Sequence, residues 1–151
     1  MEPKDLSNRV AVGGQPSTDD LSRLRDQGFT TVVNLRTSSE ANQPLTPEAE
    51  GKAAAEAGLA YHHVPVSTQD LGPEQVAAVR EAIREAPGRV LVHCGAGQRA
   101  CALALLAEAD SSSGGEAILS RAHEAGFPVV DERLKDFVMR LGGGLPTTGT
   151  A

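Results

Sequence analysis

The sequence predicts one α/β domain in which a mostly parallel β-sheet is covered by helices on both faces. Two observations support this fold class. Short β-branched or apolar runs alternate with longer segments of helical periodicity along most of the 151 residues, and glycine or proline marks most of the junctions. Strands that alternate with helices of this length form parallel sheets, whose ligands bind beyond the carboxyl ends of the strands.

The first half of the chain is predicted to fold as strand, helix, strand, helix. The runs RVAVGG and TTVVNL are rich in β-branched residues, which favours strands. Between them, Ser17 and Asp20 have the spacing of a capping box at a helix start, and Gly28 marks the helix end. A second helix is predicted from Pro47, which suits the first helical position, to Ala57.

The second half continues this alternation and adds two helices. LAYHHVPV is predicted as a strand, a third helix begins at Pro73, and RVLVH is predicted as a short buried strand. The segment ACALALLAEAD is apolar on nearly every side, so we expect a helix buried centrally beneath the sheet. GEAILSRAHEAG and DERLKDFVMRLGG have the periodicity of two further helices. We assign residues 1–141 to the domain and the small, aperiodic residues 142–151 to a flexible tail.

Charge and composition exclude several classes of partner. The formal net charge of −6 argues against a nucleic acid or an anionic membrane surface, because those partners need a basic face. No stretch has the length of an apolar membrane span, and the start MEPKDLSNRV lacks the pattern of a secretion signal, so we expect a cytoplasmic protein. The two cysteines, Cys94 and Cys101, are a poor framework for a structural disulfide and fit a reducing compartment. The oligomeric state is not predicted.

The segment VLVHCGAGQRA carries the strongest chemical signal. It places Cys94 between a buried strand and a helix, where Gly95 and Gly97 allow the backbone to turn sharply. The N–H groups of such a turn bind an anion, and Arg99 adds a planar guanidinium that can donate hydrogen bonds to two oxygens of the anion at once. The same positive field favours thiolate over thiol and makes Cys94 a nucleophile. The residues expected to bind substrate are His93, Gly95, Ala96, Gly97, Gln98 and Arg36.

This loop resembles the cysteine-dependent phosphatase signature, His-Cys-x-x-Gly-x-x-Arg. Five residues separate cysteine from arginine in that signature, whereas four separate Cys94 from Arg99, and Ala100 stands where the longer motif has its arginine. The shorter spacing is similar to that of rhodanese-type sulfurtransferases. The loop length therefore indicates sulfur chemistry, whereas the His-Cys lead-in indicates phosphate chemistry.

The surrounding chain favours one family. GGQPS, NLR and the loop, between Val10 and Ala109, resemble the small bacterial phosphatase-like domain that is also found fused to beta-lactamase-like hydrolases. The resemblance implies the three-layer cysteine-phosphatase fold of the dual-specificity type, with a central sheet flanked by helices. Some members of that family are described as phosphatases, while members fused to sulfur dioxygenases are associated with sulfur transfer.

As a phosphatase, the chain would attack phosphorus with Cys94 and hold the equatorial oxygens with the loop amides and Arg99. The resemblance implies a general acid on the loop after the preceding strand, where Asp70 is the candidate, although Asp70 also fits a solvated loop position. The expected substrate is a phosphorylated protein or small molecule, with aryl phosphates preferred, and no cofactor is implied. Ala100 replaces the Ser or Thr that normally follows the signature, so we expect slower breakdown of the phosphocysteine.

Two other functions remain open. A rhodanese-like sulfurtransferase would carry a persulfide on Cys94 and would need no general acid. A module that only binds phosphoryl groups would keep the glycines and Arg99 but gain little from a cysteine. The role of Arg36 is also open, since it either flanks the site or pairs with Glu40, and we favour the pair.

The remaining cysteine and the histidines are interpreted as structural. Cys101 is expected to be a small core residue, and the alternative is a resolving thiol that rescues oxidised Cys94 by forming a disulfide. The helix after the loop should hold the two cysteines apart. His62, His63 and His123 lack the recurring spacing of metal ligands, so no metal is predicted.

Overall fold

Five β-strands form the sheet in the computed structural model, which describes residues 2–110 and 112–142. In chain order they are β1 (Lys4–Asp5), β2 (Val10–Gly13), β3 (Phe29–Asn34), β4 (Ala60–His63) and β5 (Arg89–His93). Their order across the sheet is β1-β2-β5-β3-β4, with β1 antiparallel to β2 and every other neighbouring pair parallel. The predicted mostly parallel sheet is therefore confirmed, and β5 lies at its centre.

Helices cover both faces of this sheet. They are α1 (Thr18–Leu24), α2 (Pro47–Glu56), α3 (Pro73–Glu85), α4 (Gln98–Glu108), α5 (Gly115–Glu124) and α6 (Glu132–Leu141). The helices α1 and α2 pack on one face and the other four pack on the opposite face, so the core has two apolar layers. Leu91 of β5 belongs to the first layer, whereas Val90 and Val92 belong to the second, as the alternation of side chains along a strand requires.

Local sequence signals set the ends of the first two helices. The Ser17 hydroxyl accepts a hydrogen bond from the Asp20 N–H at 3.0 Å, and the Asp20 carboxylate accepts one from the Ser17 N–H at 2.9 Å, which confirms the capping box. Pro47 is the first residue of α2. Gly28 has a left-handed backbone with φ of 90°, so it ends the helical turn that follows α1.

The helix α4 is the buried centre of the second layer, as its apolar sequence predicts. Every residue from Ala100 to Ala107 is buried, and the helix contacts α3, α5, α6, β2 and β5. The Arg80 guanidinium donates hydrogen bonds to the carbonyls of Ala107 at 2.8 Å and Ala109 at 3.1 Å. These bonds satisfy carbonyl groups at the helix end that no N–H of α4 can reach. The C-terminus of α4 is thereby tied to α3.

Two strands differ from the prediction. β1 was not predicted, because two polar residues at the edge of a sheet carry no alternating pattern. The strand predicted from Leu59 to Val66 is regular only over Ala60–His63. Pro65 interrupts it because proline has no N–H for the ladder, although the Val66 N–H still donates to the Leu35 carbonyl at 2.9 Å.

The end of α6 includes a residue that the sequence assigned to the flexible tail. The Gly142 N–H donates to the Val138 carbonyl at 2.8 Å, so Gly142 closes the helix. The rest of the predicted tail, residues 143–151, lies outside the described residues. Within residues 2–110 and 112–142, no helix is both long enough and apolar enough to cross a membrane.

We expect Leu103→Ala to lower the free energy of unfolding by about 3 kcal/mol, because it opens a cavity in the most buried helix. Leu119→Ala is the matched control, since Leu119 is only partly buried at the edge of the same layer, and it should cost clearly less. Urea unfolding of both variants measures the difference. Equal losses would show that α4 is not the centre of the core.

Candidate active site

The candidate site lies at the carboxyl end of the central strand. β5 ends at His93 and α4 begins at Gln98, so only the residues Cys94–Gly97 join a strand buried on both faces to a helix that is buried from Ala100 to Ala107. A topological position of this kind, beyond the carboxyl end of a parallel strand and before a helix N-terminus, is where such sheets bind anions. The predicted location of Cys94 is therefore the observed one.

Two glycines make this tight connection possible. Gly97 has φ of 112°, and a Cβ atom at this position would lie 2.3 Å from the Phe127 ring. The Gly95 carbonyl lies close to Gly14, which follows the end of β2. A Cβ atom at Gly14 would lie only 2.8 Å from that oxygen, so glycine is needed at this position. The neighbouring Gln15 N–H donates to the same carbonyl at 3.3 Å. The GGQ segment thus supports the loop from the adjacent strand.

The loop surrounds the Cys94 sulfur with N–H groups. Cys94 is 1% exposed, and its Sγ accepts hydrogen bonds from the Gly97 N–H at 3.1 Å and the Ala100 N–H at 3.4 Å. Within the described residues, four further N–H groups of the loop and the first helical turn donate to no acceptor, namely those of Gly95, Ala96, Gln98 and Arg99. Together with the N-terminus of α4, these donors form a site for negative charge.

Arg99 is held by a carboxylate that the sequence did not assign to it. Its Nη1 and Nη2 donate to the two oxygens of Glu40 at 2.6 and 3.0 Å, and Nη1 also donates to the Val66 carbonyl at 2.8 Å. The hydrogen bonds to Glu40 raise the pKa of Arg99 above its usual value, with burial acting in the opposite direction and the Cys94 side chain adding to the rise. The guanidinium is therefore charged and fixed beside the sulfur.

Glu40 joins both arginines that the sequence placed near the site. The Arg36 Nε donates to Glu40 Oε1 at 3.1 Å, so the favoured pair is confirmed. Burial by itself would raise the pKa of Glu40, but hydrogen bonds from Arg99, the Thr37 N–H and Arg36 outweigh it and lower that pKa from 4.5 to about 2. Arg36 is 7% exposed and also donates to the Gln15 side chain at 3.2 Å.

His93 lies behind the loop and does not line the cavity beside Cys94. Both His93 and Glu50 are completely buried, and His93 Nε2 lies 2.5 Å from Glu50 Oε2. The other oxygen of Glu50 accepts a hydrogen bond from the Gln15 amide at 2.6 Å. Because His93 Nδ1 lies 3.2 Å from the Cys94 carbonyl, this buried polar cluster contacts the backbone of the loop.

A small cavity of about 200 Å³ opens beside the sulfur. Its lining residues are Thr68, Cys94, Ala96, Gln98, Arg99, Asp131 and Leu134. This volume suits a phosphoryl or similar small group better than a drug-sized ligand. A larger cavity of about 430 Å³ lies beside Arg80 and the end of α4, but none of the described residues that line it is a cysteine, serine or histidine. The chemistry therefore places the candidate site at the smaller cavity.

The two aspartates near this cavity differ in position. Asp70, the sequence candidate for the general acid, is exposed on a turn where its N–H donates to the Ser67 carbonyl at 3.0 Å. Thr68 of the same turn lines the cavity, but Asp70 does not. Asp131 does line it, although nothing in the sequence around Asp131 distinguishes it from an ordinary helix N-cap.

The other candidate residues have structural contacts. Cys101 is buried in the core, and burial raises the pKa of its thiol to about 12. Both cysteines are free. His63 Nε2 lies 2.5 Å from the Arg36 carbonyl. Among the residues that the structure describes, no three His, Cys, Asp or Glu side chains are grouped so that they could hold a metal ion.

Comparison with known proteins agrees with this fold. The family model "Beta-lactamase hydrolase-like protein, phosphatase-like domain" matches residues 4–111. The beta-lactamase hydrolase-like protein of Xylella fastidiosa (strain Temecula1) is 37% identical over 129 residues, which are 84% of this chain and 30% of that protein. The chain therefore spans less than a third of the length of this relative.

Solved structures show the same fold. A proposed phosphatase from Neisseria meningitidis has a TM-score of 0.76 at 24% identity, covering 91% of this chain and 96% of its own. A kinase associated phosphatase with its catalytic-site cysteine replaced by serine has a TM-score of 0.68 at 12% identity, covering 85% and 83%. The three-layer phosphatase fold implied by the sequence is thus confirmed. The chain belongs to the family of phosphatase-like domains found in beta-lactamase hydrolase-like proteins.

Proposed function

We propose that this phosphatase-like domain hydrolyses phosphomonoesters through a phosphocysteine intermediate on Cys94, with aryl phosphates as preferred substrates. The observation that carries the proposal is the set of N–H groups around the sulfur. Two of them already donate to Sγ, and four more, from Gly95 to Arg99, have no acceptor in the described residues. A tetrahedral phosphoryl group on Sγ would supply the oxygens that these donors lack.

In the first step, Sγ of Cys94 attacks phosphorus, the S–P bond forms, and the bond from phosphorus to the leaving oxygen breaks. The charge that develops on the equatorial oxygens is stabilised by loop amides that need no reorganisation. Arg99 contributes a charged fork whose position is set by Glu40 and by the Val66 carbonyl. The leaving oxygen must also receive a proton unless it is already a stable anion.

Asp70 is the proposed donor of that proton. It is exposed and lies two residues from Thr68, which lines the cavity, so the turn that carries it borders the substrate. The Gln75 amide holds this turn by donating to the carbonyls of Pro65 at 3.0 Å and Asp70 at 2.9 Å. The preference for aryl phosphates follows from an acid at the edge of the cavity, because aryl leaving groups depend less on protonation.

A sulfurtransferase is the second candidate, and the loop length favours it. Only four residues separate Cys94 from Arg99. A persulfide on Cys94 would be stabilised by the same N–H groups, and its transfer to a thiol or to cyanide would need no acid. The cavity is large enough for either a sulfur atom or a phosphoryl group. Its volume therefore does not distinguish the two functions, and an activity assay is needed.

We expect wild-type protein to release phosphate from 4-nitrophenyl phosphate and Cys94→Ser to release none, because serine is a far weaker nucleophile at this position. The same preparations are assayed for thiocyanate formation from thiosulfate and cyanide. Ala100→Ser is a matched variant that leaves the nucleophile in place and should retain activity. Cysteine-dependent thiocyanate without phosphate release would replace the phosphatase proposal by sulfur transfer.

We expect Asp70→Asn to reduce kcat/KM much more for alkyl than for aryl phosphates, because the need for a proton increases with the pKa of the leaving group. A series of substrates with graded leaving groups measures the slope. Asp110→Asn, which removes a charge from an exposed turn remote from the cavity, is the control. An equal loss on every substrate would contradict the role of Asp70 as an acid.

We expect Glu40→Gln to lower the free energy of unfolding at neutral pH by up to about 3 kcal/mol, which corresponds to the fall in the pKa of Glu40 from 4.5 to about 2. Because the folded pKa is depressed, this stability is present above pH 4.5 and is lost as the pH falls towards 2. Urea unfolding at neutral pH and near pH 3 measures both proteins.

The exposed Glu81→Gln is the control for loss of charge alone. The difference between wild type and Glu40→Gln should be smaller at the acidic pH. A difference that does not change with pH would show that the ionised form of Glu40 is not what stabilises the fold at this site.

A further inference from the structure

Asp131 is built into the wall of the Cys94 cavity from a distant part of the chain. It is the N-cap residue of α6, and its Oδ1 accepts hydrogen bonds from the N–H groups of Arg133 at 2.9 Å and Leu134 at 3.0 Å. Leu134 is completely buried and lines the same cavity. The start of α6, with its carboxylate, therefore has a fixed position beside the sulfur.

The loop itself holds this segment in place. Gln98 is the first residue of α4, directly after the Cys94 loop. Its side-chain Oε1 accepts hydrogen bonds from the Val130 N–H at 2.9 Å and the Asp131 N–H at 3.1 Å. Gln98 therefore joins the nucleophile loop to the residues that precede α6, and Cys94 and Asp131 form one preorganised unit.

The hydrogen bonds of Asp131 leave one of its two carboxylate oxygens available to a water molecule. One carboxylate oxygen carries both N–H bonds, and no hydrogen bond to Oδ2 occurs within the described residues. A carboxylate oxygen accepts hydrogen bonds, so Oδ2 can bind a water through the water's O–H and is placed to receive its proton.

We propose that Asp131 orients and deprotonates the water that hydrolyses the phosphocysteine. This inference rests on the proposed phosphatase function and adds the residue of its second step. The water oxygen attacks phosphorus and forms the new P–O bond, while the S–P bond breaks and its electron pair returns to Cys94 as thiolate. The proton of the water passes to Asp131 and then to solvent. No other reactant is required.

This role complements the features of the loop that slow the second step. Ala100 provides no hydroxyl to assist departure of the thiolate. Only its backbone N–H contacts the sulfur, at 3.4 Å from Sγ. A base that makes the attacking water more nucleophilic offsets this loss, because attack of the water and departure of the thiolate belong to the same displacement at phosphorus. Asp70 and Asp131 are thereby divided between the two steps, the first giving a proton and the second taking one.

The experiment is rapid-quench kinetics with 4-nitrophenyl phosphate on wild type and Asp131→Asn. Asparagine caps a helix as well as aspartate does, so α6 should remain intact and the melting temperature should not change. We expect a burst of 4-nitrophenolate within threefold of the wild-type rate, followed by a steady-state rate about 100-fold lower. Acid-quenched Asp131→Asn should carry a phosphoryl group on Cys94 by intact-protein mass spectrometry.

Asp136→Asn is the matched control, because it removes the same charge from an exposed position of α6 that does not line the Cys94 cavity. It should behave as wild type. An Asp131→Asn protein that turns over normally, or whose burst slows as much as its steady state, would overturn the role of Asp131 alone. Failure of every form, wild type included, to release phosphate or to become phosphorylated would overturn the proposed function, and this inference with it.

Discussion

The connection between β5 and α4 is the constraint on which the rest of the site depends. A strand buried on both faces is joined to a helix buried on nearly all sides by the residues Cys94–Gly97, so the backbone has no room for a wider turn. Buried N–H groups in such a turn need acceptors. Two of them use the Cys94 sulfur, and the other four have no acceptor within the described residues. The requirement for compact packing and the requirement for an anion site are met by the same few residues.

The acidic composition of the chain does not prevent an anion site at this place, because two of the nearby carboxylates, those of Glu40 and Glu50, are committed to particular partners. Glu40 neutralises part of the charge of Arg36 and Arg99 and fixes both side chains. Glu50 is completely buried and contacts His93 and the Gln15 amide. Glu40 and Glu50 are both paired, so these two carboxylates oppose the positive field of the loop N–H groups only weakly, although the protein as a whole carries a formal charge of −6.

The site combines parts of two chemistries. A His-Cys lead-in and the family fold indicate phosphate, while the short spacing to Arg99 resembles that of sulfurtransferases. What separates them physically is the fate of the group on the sulfur. A persulfide leaves by attack of a second thiol, whereas a phosphocysteine leaves by attack of water, which has to be positioned. The contact of α6 with the cavity, through Asp131 and the Gln98 side chain, provides a place for that water.

The sequence by itself determined the helices, four of the five strands and the place of Cys94, because caps, periodicity and glycine turns act over a few residues. It also determined the pair of Arg36 and Glu40, which are four residues apart. Only the tertiary structure decided that Glu40 also binds Arg99, 59 residues away. It also decided that Asp131 lines the cavity and donates its N–H to the side chain of Gln98, 33 positions earlier. Local patterns cannot reveal such partners, because the packing of α4 and α6 against the sheet sets those distances, and no spacing along the chain records them.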